Sequence, residues 1–463
     1  MLNASQLHSI FDRVNKFSSG HEFEVIINGG RSALTRFANN MIHQNVAEEG
    51  MVISVRVAFD GKTARATTNK TDDDSLRRAV QSAEQLTRMQ ASDPELLPMP
   101  SQMAPAVANA PSRHFEATAA VSPEDRAAGV GKIVDVAKKH KLVTAGIFSS
   151  SESFEAIFNS KGLSAFHNQT SSEISITMLA DDSSGWQKAN SPDILQLNAP
   201  RLAEIAAQKA RDSAKPMELA PGKHTVVLEP AAVLDLVGFM FFDFGAQSML
   251  DSRSFLSNRM GTKLFGENIT IGDDVYHPLQ SGPIFDGEGV PRRQVLLVEK
   301  GVVKNLVYSR GGAAKMRKSE LAAQIHAENV EPTGHGFPLP NDIGDVPMNI
   351  VFAGPAKGEA KSTEQMIAET EHGVLVTRCW YIREVEPYEK ILTGMTRDGT
   401  FLIENGKIKK GIRNFRFNQS LVDMLQNVQA MGVPVRASGE ESFDMVVPAM
   451  KVGGFNFTEV TKF

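Results

Sequence analysis

Cysteine is almost absent. Cys379 is the only one in 463 residues, which excludes an internal disulfide and any zinc cluster built on several cysteines. Long apolar runs are missing too: the longest, Leu236–Phe242, is closed by Asp235 and Asp243 and is far too short to span a bilayer. Positive charge is in slight deficit, 49 Lys and Arg against 54 Asp and Glu, for a net charge of −5, whereas a dedicated nucleic-acid binder needs a basic face. There is no GxxxxGK[ST] phosphate loop, no GxSxG elbow and no HExxH. The opening MLNASQLHSIFDRVNKF lacks the basic start and apolar core of a signal peptide, and instead puts Leu7, Ile10, Phe11 and Val14 on one face of an amphipathic helix. These absences predict a cytoplasmic protein with neither a membrane nor a nucleic-acid partner.

What is present is a globular balance, 41% hydrophobic and 22% charged, in a chain too long for one ordinary core. Two domains are expected, residues 1–215 and 216–463, divided at Lys215-Pro216 and Ala220-Pro221-Gly222. In the first, Glu22–Ile27 reads as a strand. Met51–Phe59 alternates with Met51, Ile53, Val55 and Val57 on one side, and Asp60-Gly61 turns it into Thr63–Thr68, a strong hairpin signal. Asp72-Asp73-Asp74-Ser75 opens a helix, acids at its positive end, with Leu76, Ala79, Val80, Ala83 and Leu86 as its inward stripe. Five prolines in 91–111 predict an extended connection, part of it packed as an arm. Ser122-Pro123-Glu124-Asp125 starts a helix running to Lys141.

A second copy follows. Phe37-Ala38-Asn39-Asn40 and His43-Gln44-Asn45 are echoed by Phe158-Asn159-Ser160-Lys161-Gly162 and His167-Asn168-Gln169. The echo leads into the strand Glu173–Leu179 and the helix Pro200–Lys215, with Leu202, Ile205, Ala206 and Ala210 inward, an internal pseudo-repeat of strands followed by a helix. The second half reads as the strand His224–Leu228, one apolar helix Pro230–Leu250, hairpins at Gln294–Glu299/Val302–Tyr308 and Phe401–Glu404/Lys407–Ile412, and a short helix Ser362–Thr370 before the strand Val374–Arg378. The predicted class is α+β, with a largely antiparallel, β-rich C-terminal domain.

Several constellations hint at chemistry. His21-Glu22 begins like a metalloprotease helix, but no second histidine follows. His326-Ala327-Glu328 matches half of a zinc-deaminase motif whose other half, PCxxC, is absent. Cys379 reads as a small buried hydrophobe, since His372 lies seven strand residues away and on the opposite face. Gly334-His335-Gly336 leaves a histidine able to face a cleft, and Phe285-Asp286-Gly287-Glu288-Gly289 offers carboxylates suited to a hard cation or to a simple turn. His335, Asp286 and Glu288 are therefore the cleft candidates.

In order, these pieces resemble the TldD/PmbA family of metallopeptidases, once called modulators of DNA gyrase. The matching words are Thr35-Arg36-Phe37-Ala38-Asn39-Asn40 with Ile42-His43-Gln44-Asn45, the block His224–Leu250, and Phe285-Asp286-Gly287-Glu288-Gly289-Val290 before Lys300-Gly301. They continue with Thr333-Gly334-His335-Gly336, Glu364-Gln365-Met366-Ile367 with Gly373-Val374-Leu375-Val376-Thr377, and Ile403-Glu404-Asn405-Gly406-Lys407-Ile408. The resemblance implies a cytoplasmic heterodimeric protease acting on unfolded or extended peptides, including peptide-antibiotic precursors and labile antitoxins. One subunit type carries HExxxH on the helix corresponding to Pro230–Leu250, with a cysteine near the C-terminus; the other lacks these ligands.

This chain departs from the zinc-bearing pattern. Its helix has no histidine or glutamate, Phe239 and Phe244 stand in the ligand slots, and Glu441–Phe463 has no cysteine. It is thus similar to the PmbA/TldE-like subunit type, expected to hold no metal itself and to pair, as homodimer or heterodimer, with a zinc-bearing TldD-like paralogue. The alternatives are a stand-alone metal-dependent hydrolase with non-standard ligands and a non-catalytic peptide-binding protein.

Overall fold

The computed structural model describes residues 2–461 apart from 106, 109, 324 and 326–329. α1 (Ala4–Phe17) starts on Asn3, which accepts the Gln6 N–H while the Gln6 side chain accepts that of Asn3, and it buries Leu7, Ile10 and Val14. β1 (Glu22–Ala38) and β2 (Met41–Phe59) form a hairpin far longer than the sequence predicts, turning at Asn39-Asn40, both at positive φ. β3 (Lys62–Thr68) follows the expected Asp60-Gly61 turn. α2 (Asp73–Met89) is capped by Asp72 and buries Leu76, Ala79, Val80 and Ala83. Leu86, expected in that stripe, is 42% exposed; Thr87 takes the inward position, its hydroxyl donating to the Ala83 and Val57 carbonyls.

The connection after α2 does pack as an arm. Met99 is buried, its N–H donates to Glu22, and the Pro98 and Pro100 carbonyls accept from Arg310 and Asn159. After α3 (Glu116–Ala119), α4 (Pro123–Lys139) begins on a capping box between Ser122 and Asp125. It stops short of Lys141, which takes a positive φ. β4 (Val143–Asn159), β5 (Ser164–Leu179), β6 (Ser184–Ser191) and α5 (Ala199–Asp212) repeat the β1-β2-β3-α2 order. The sheet runs β3-β2-β1-β4-β5-β6, with the antiparallel pair β1–β4 at its centre. The two echoed turns of the sequence occupy the same place in each copy.

The second half opens with β7 (Gly222–Leu228) and α6 (Pro230–Val237). Here the single helix expected over Pro230–Leu250 is corrected: a 3-10 segment, Gly238–Phe244, follows α6, and α7 (Ala246–Leu250) resumes only after Gly245 adopts an extended ψ of 142°. Close packing explains the break. A Cβ on Gly245 would lie 2.0 Å from the Asp345 carbonyl oxygen, and one on Gly238 would lie 1.9 Å from Ser442 Oγ.

β8 (Ile271–Asp273), β9 (Val295–Glu299) and β10 (Val302–Val303) precede α8 (Arg310–Lys318), β11 (Ile350–Phe352) and α9 (Thr363–Ala368). The strand expected over Val302–Tyr308 is thus only two residues long. β12 (His372–Glu386), β13 (Ile391–Glu404), β14 (Lys407–Gly411), β15 (Phe415–Ser420), α10 (Leu421–Gln426), β16 (Val428–Met431), β17 (Val435–Ala437), β18 (Met445–Val447) and β19 (Met450–Val460) complete the chain.

One sheet runs β10-β9-β8-β11-β18-β17. The other runs β12-β7-β19-β15-β13-β14, and β12 also pairs with β13, closing five strands into a barrel. Val226, Val374, Phe417 and Phe455 belong to a core that also takes in α6 and the 3-10 segment. The architecture is α+β and largely antiparallel, as predicted. Arg113, buried at the end of the arm, ties the halves together by donating to the carbonyls of Val275, His277 and Pro278 at 2.8, 3.0 and 3.1 Å. Among the described residues no helix is long and apolar enough to cross a membrane.

Candidate functional site

The α6 and 3-10 segment is where the family resemblance points. Leu234, Leu236, Met240, Phe241 and Phe244 are fully buried, Phe239 is half-buried and Phe242 is 55% exposed. Apolar side chains around the whole circumference make this a core element rather than a surface helix. Its two carboxylates are both committed. Asp235 accepts the Cys379 N–H at 3.2 Å on one oxygen, and the Glu440 and Glu441 N–H groups at 3.2 and 3.3 Å on the other. Burial pushes its carboxyl up to about 7, against the pull of those donors. Asp243 accepts the Phe255 N–H and pairs with Lys390 Nζ at 2.5 Å; burial raises its pKa although Lys390 opposes the rise.

A catalytic zinc needs three protein ligands and an open position. Phenyl rings at 239 and 244 donate nothing, and Asp235 and Asp243 already serve backbone amides and an ammonium, so this segment does not fit zinc. Among the described residues no three His, Cys, Asp or Glu side chains are grouped to hold a metal ion. Beside the segment lies a cleft of about 620 Å³ bounded by Phe239, Phe242, Glu384, Glu441 and Phe443. Glu441, in its lining, accepts the Tyr381 N–H at 2.7 Å, and Tyr381 is 56% exposed.

The cleft candidates from sequence form a second, buried cluster. Asp286 accepts the N–H groups of Glu288 and Val290 on one oxygen and that of Gly336, at 2.7 Å, on the other. Glu288 accepts the Arg310 N–H at 3.0 Å, with the Arg310 guanidinium 3.7 Å from its second oxygen. Burial raises both carboxyls, and the neighbouring Asp286 charge adds to the rise of Glu288, which reaches about 7. Asp286 and His335 line a second cleft, between the two halves of the chain.

His335 is fully enclosed. Its Nδ1 lies 2.9 Å from Thr333 Oγ1, and its Nε2 is 3.0 Å from Asp273 Oδ1, a close contact between two buried polar groups. Burial pushes Asp273 up, but the facing His335, the Arg292 guanidinium and the Asn349 N–H together hold the carboxyl below its usual range. The flanking glycines permit tight packing instead of exposure. Gly334 sits at φ +75°, where a Cβ would meet the Pro291 carbonyl at 2.5 Å; one on Gly336 would meet Glu288 Oε1 at 2.4 Å. Sequence reading missed Asp273 and Asp345, whose carboxylate caps α8 through Ser309 at 2.8 Å.

Cys379 is buried, as its sequence environment predicts, and burial beside Asp235 raises its thiol well above the ordinary range. His372 is exposed. His21 stacks on Phe59. The half-motif His326-Ala327-Glu328 lies outside the described residues.

Three family models match in succession: PmbA/TldA metallopeptidase domain 1 over residues 23–87, the central domain over 116–214 and the C-terminal domain over 221–459. The chain is 26% identical over 260 residues to the uncharacterized protein MJ0231 of Methanocaldococcus jannaschii, covering 55% of this chain and 59% of that protein. It is 25% identical over 303 residues to a metalloprotease of Methanothermobacter thermautotrophicus, covering 62% and 61%. The matches thus span about three-fifths of the length of these curated relatives. Among solved structures, a proposed modulator of DNA gyrase (TM0727) from Thermotoga maritima superposes with a TM-score of 0.85 at 20% identity, over 98% of this chain and 100% of that one. TldE from Thermococcus kodakarensis gives 0.83 at 20% over the same shares. At that identity the superpositions establish the shared fold.

Proposed function

This chain belongs to the PmbA/TldD metallopeptidase family, and on that premise we propose that it is the non-zinc subunit of a cytoplasmic peptidase complex acting on unfolded or extended peptides. The observation that carries this reading is the use made of the α6 and 3-10 segment. Its slots hold phenyl rings, and its carboxylates hold backbone amides and Lys390. A subunit whose ligand helix has become core keeps the scaffold and leaves bond cleavage to a partner. The cleft beside Phe239, Phe242 and Phe443 offers apolar surface to that partner, a zinc-bearing paralogue. Edge strands β10 and β17 can accept an extended peptide by strand addition.

The test is hydrolysis of an unstructured peptide by the chain alone, by a zinc-bearing family member of the same source alone, and by the two co-expressed. Activity is expected in the co-expressed pair, abolished by chelation and absent from this chain alone. Chelator-sensitive hydrolysis by this chain alone would overturn the reading. It would favour a stand-alone hydrolase, one in which Asp286, Glu288 and His335 give up their present bonds to bind metal.

A further inference from the structure

The cleft between the two halves holds about 410 Å³, within the range of small-molecule pockets. Its floor is a row across the first sheet. Glu155 of β4 lies opposite Asn28 of β1 in the strand register, so the two share the face that lines the cleft. Its roof is built from 280–292 and 335–349, through which Arg292 reaches the cleft.

Two opposite charges here form no ion pair among the described residues. Arg292 donates from Nε to the Phe285 carbonyl at 3.4 Å, while its buried Nη1 has no hydrogen-bond partner. Glu155 is half-buried and has neither a hydrogen bond nor an ion pair among the described residues; burial raises its carboxyl, the Arg292 charge opposes the rise at a distance, and the Asp286 charge adds to it. Asp286 and Asp273 act on Arg292 through their charge alone, with no hydrogen bond or ion pair to it among the described residues. A buried guanidinium N–H left unmatched is costly, and a cleft with one unmatched donor and one unmatched carboxylate suits a ligand carrying both complements. Between them, Ile26, Phe285, Phe337 and Met348 line an apolar wall.

We propose that this cleft binds a small zwitterion, a free amino acid or dipeptide with an apolar side chain. Its carboxylate meets Arg292, its ammonium meets Glu155, and its side chain lies on the apolar wall. The site belongs to this chain alone and does not depend on a zinc-bearing partner.

Calorimetric titration of the full chain with leucine, Leu-Leu, N-acetyl-Leu-Leu and Leu-Leu amide tests it, the first two separating the amino acid from the dipeptide. The expectation is saturable binding of leucine or Leu-Leu, and a loss of roughly tenfold or more for Leu-Leu on blocking either end, the scale of one charge-assisted hydrogen bond. Glu155→Gln should weaken the unblocked ligand and leave N-acetyl-Leu-Leu unchanged. No binding of either unblocked ligand at millimolar concentration, or equal affinity of the blocked peptides, overturns the proposal. Sensitivity to blocking at one end only overturns the two-ended assignment.

Discussion

Lys390 Nζ stands 2.5 Å from Asp243 Oδ2, and both side chains are more than nine-tenths removed from water. Lys390 also reaches Glu384 at 2.8 Å and the Phe239 carbonyl at 3.4 Å. An ammonium supplied from within the chain thus neutralises a carboxylate on the segment where zinc-bearing relatives would place ligands. The pair pins the 3-10 segment to the start of β13 and removes Asp243 from any role as a metal donor.

Replacing one partner should therefore do more harm than replacing both. Lys390→Met leaves a buried, unpaired carboxylate and should cost about 3–5 kcal/mol. The double variant with Asp243→Asn, which keeps an oxygen for the Phe255 N–H, should recover part of that loss. Urea denaturation of the two variants measures the difference, and equal destabilisation would show that the pair is not coupled.

Phe241 is fully buried between Phe244 and the surrounding core. Phe241→Ala should cost roughly 3–5 kcal/mol through lost transfer energy and the cavity left behind. The melting temperature should fall by several degrees; an unchanged value would place the segment outside the core.

Asp235 gives a pH dependence with a definite sign. Its carboxyl is pushed from 3.8 unfolded to about 7 folded, so the native state holds the extra proton between these values. Stability contributed by this group is present at low pH and is lost as pH rises toward 7. Comparing wild type with Asp235→Asn cancels the similar rise at Glu288. The stability advantage of wild type over the variant should shrink by roughly 2–3 kcal/mol between pH 5 and 7.5. A constant gap would mean that Asp235 is ionised throughout.

Local signals were legible in the sequence where they were strong and short-range. The Asp72 and Ser122 helix starts, the Asp60-Gly61 turn and the echoed turns at 37–40 and 158–162 stand where they were expected. Strand length was not legible. Residues 28–36 continue β1 through Gly29-Gly30, without apolar alternation, because the β4 strand that holds their other edge lies far along the chain. A Cβ on Gly30 would stand 2.4 Å from the Glu152 carbonyl oxygen, a constraint invisible without the neighbouring strand. The break after Val237 was hidden for the same reason, since Ser442 and Asp345, which crowd Gly238 and Gly245, come from distant segments. The enclosure of His335 against Asp273 was not legible, because Asp273 sits 62 positions earlier. At the candidate site, the aromatic slots at 239 and 244 could be read directly; the engagement of Asp235 by loop amides and of Asp243 by Lys390 could not.

The central claim is that this chain holds no catalytic zinc and acquires peptidase function through a zinc-bearing paralogue. Native mass spectrometry of the chain purified alone and after co-expression with such a paralogue reads mass and metal together. The account predicts well under one zinc per chain when it is purified alone, and a heteromer on co-expression whose zinc is lost when the paralogue's ligand histidines are replaced. Stoichiometric zinc on the chain alone, or no heteromer on co-expression, would contradict it.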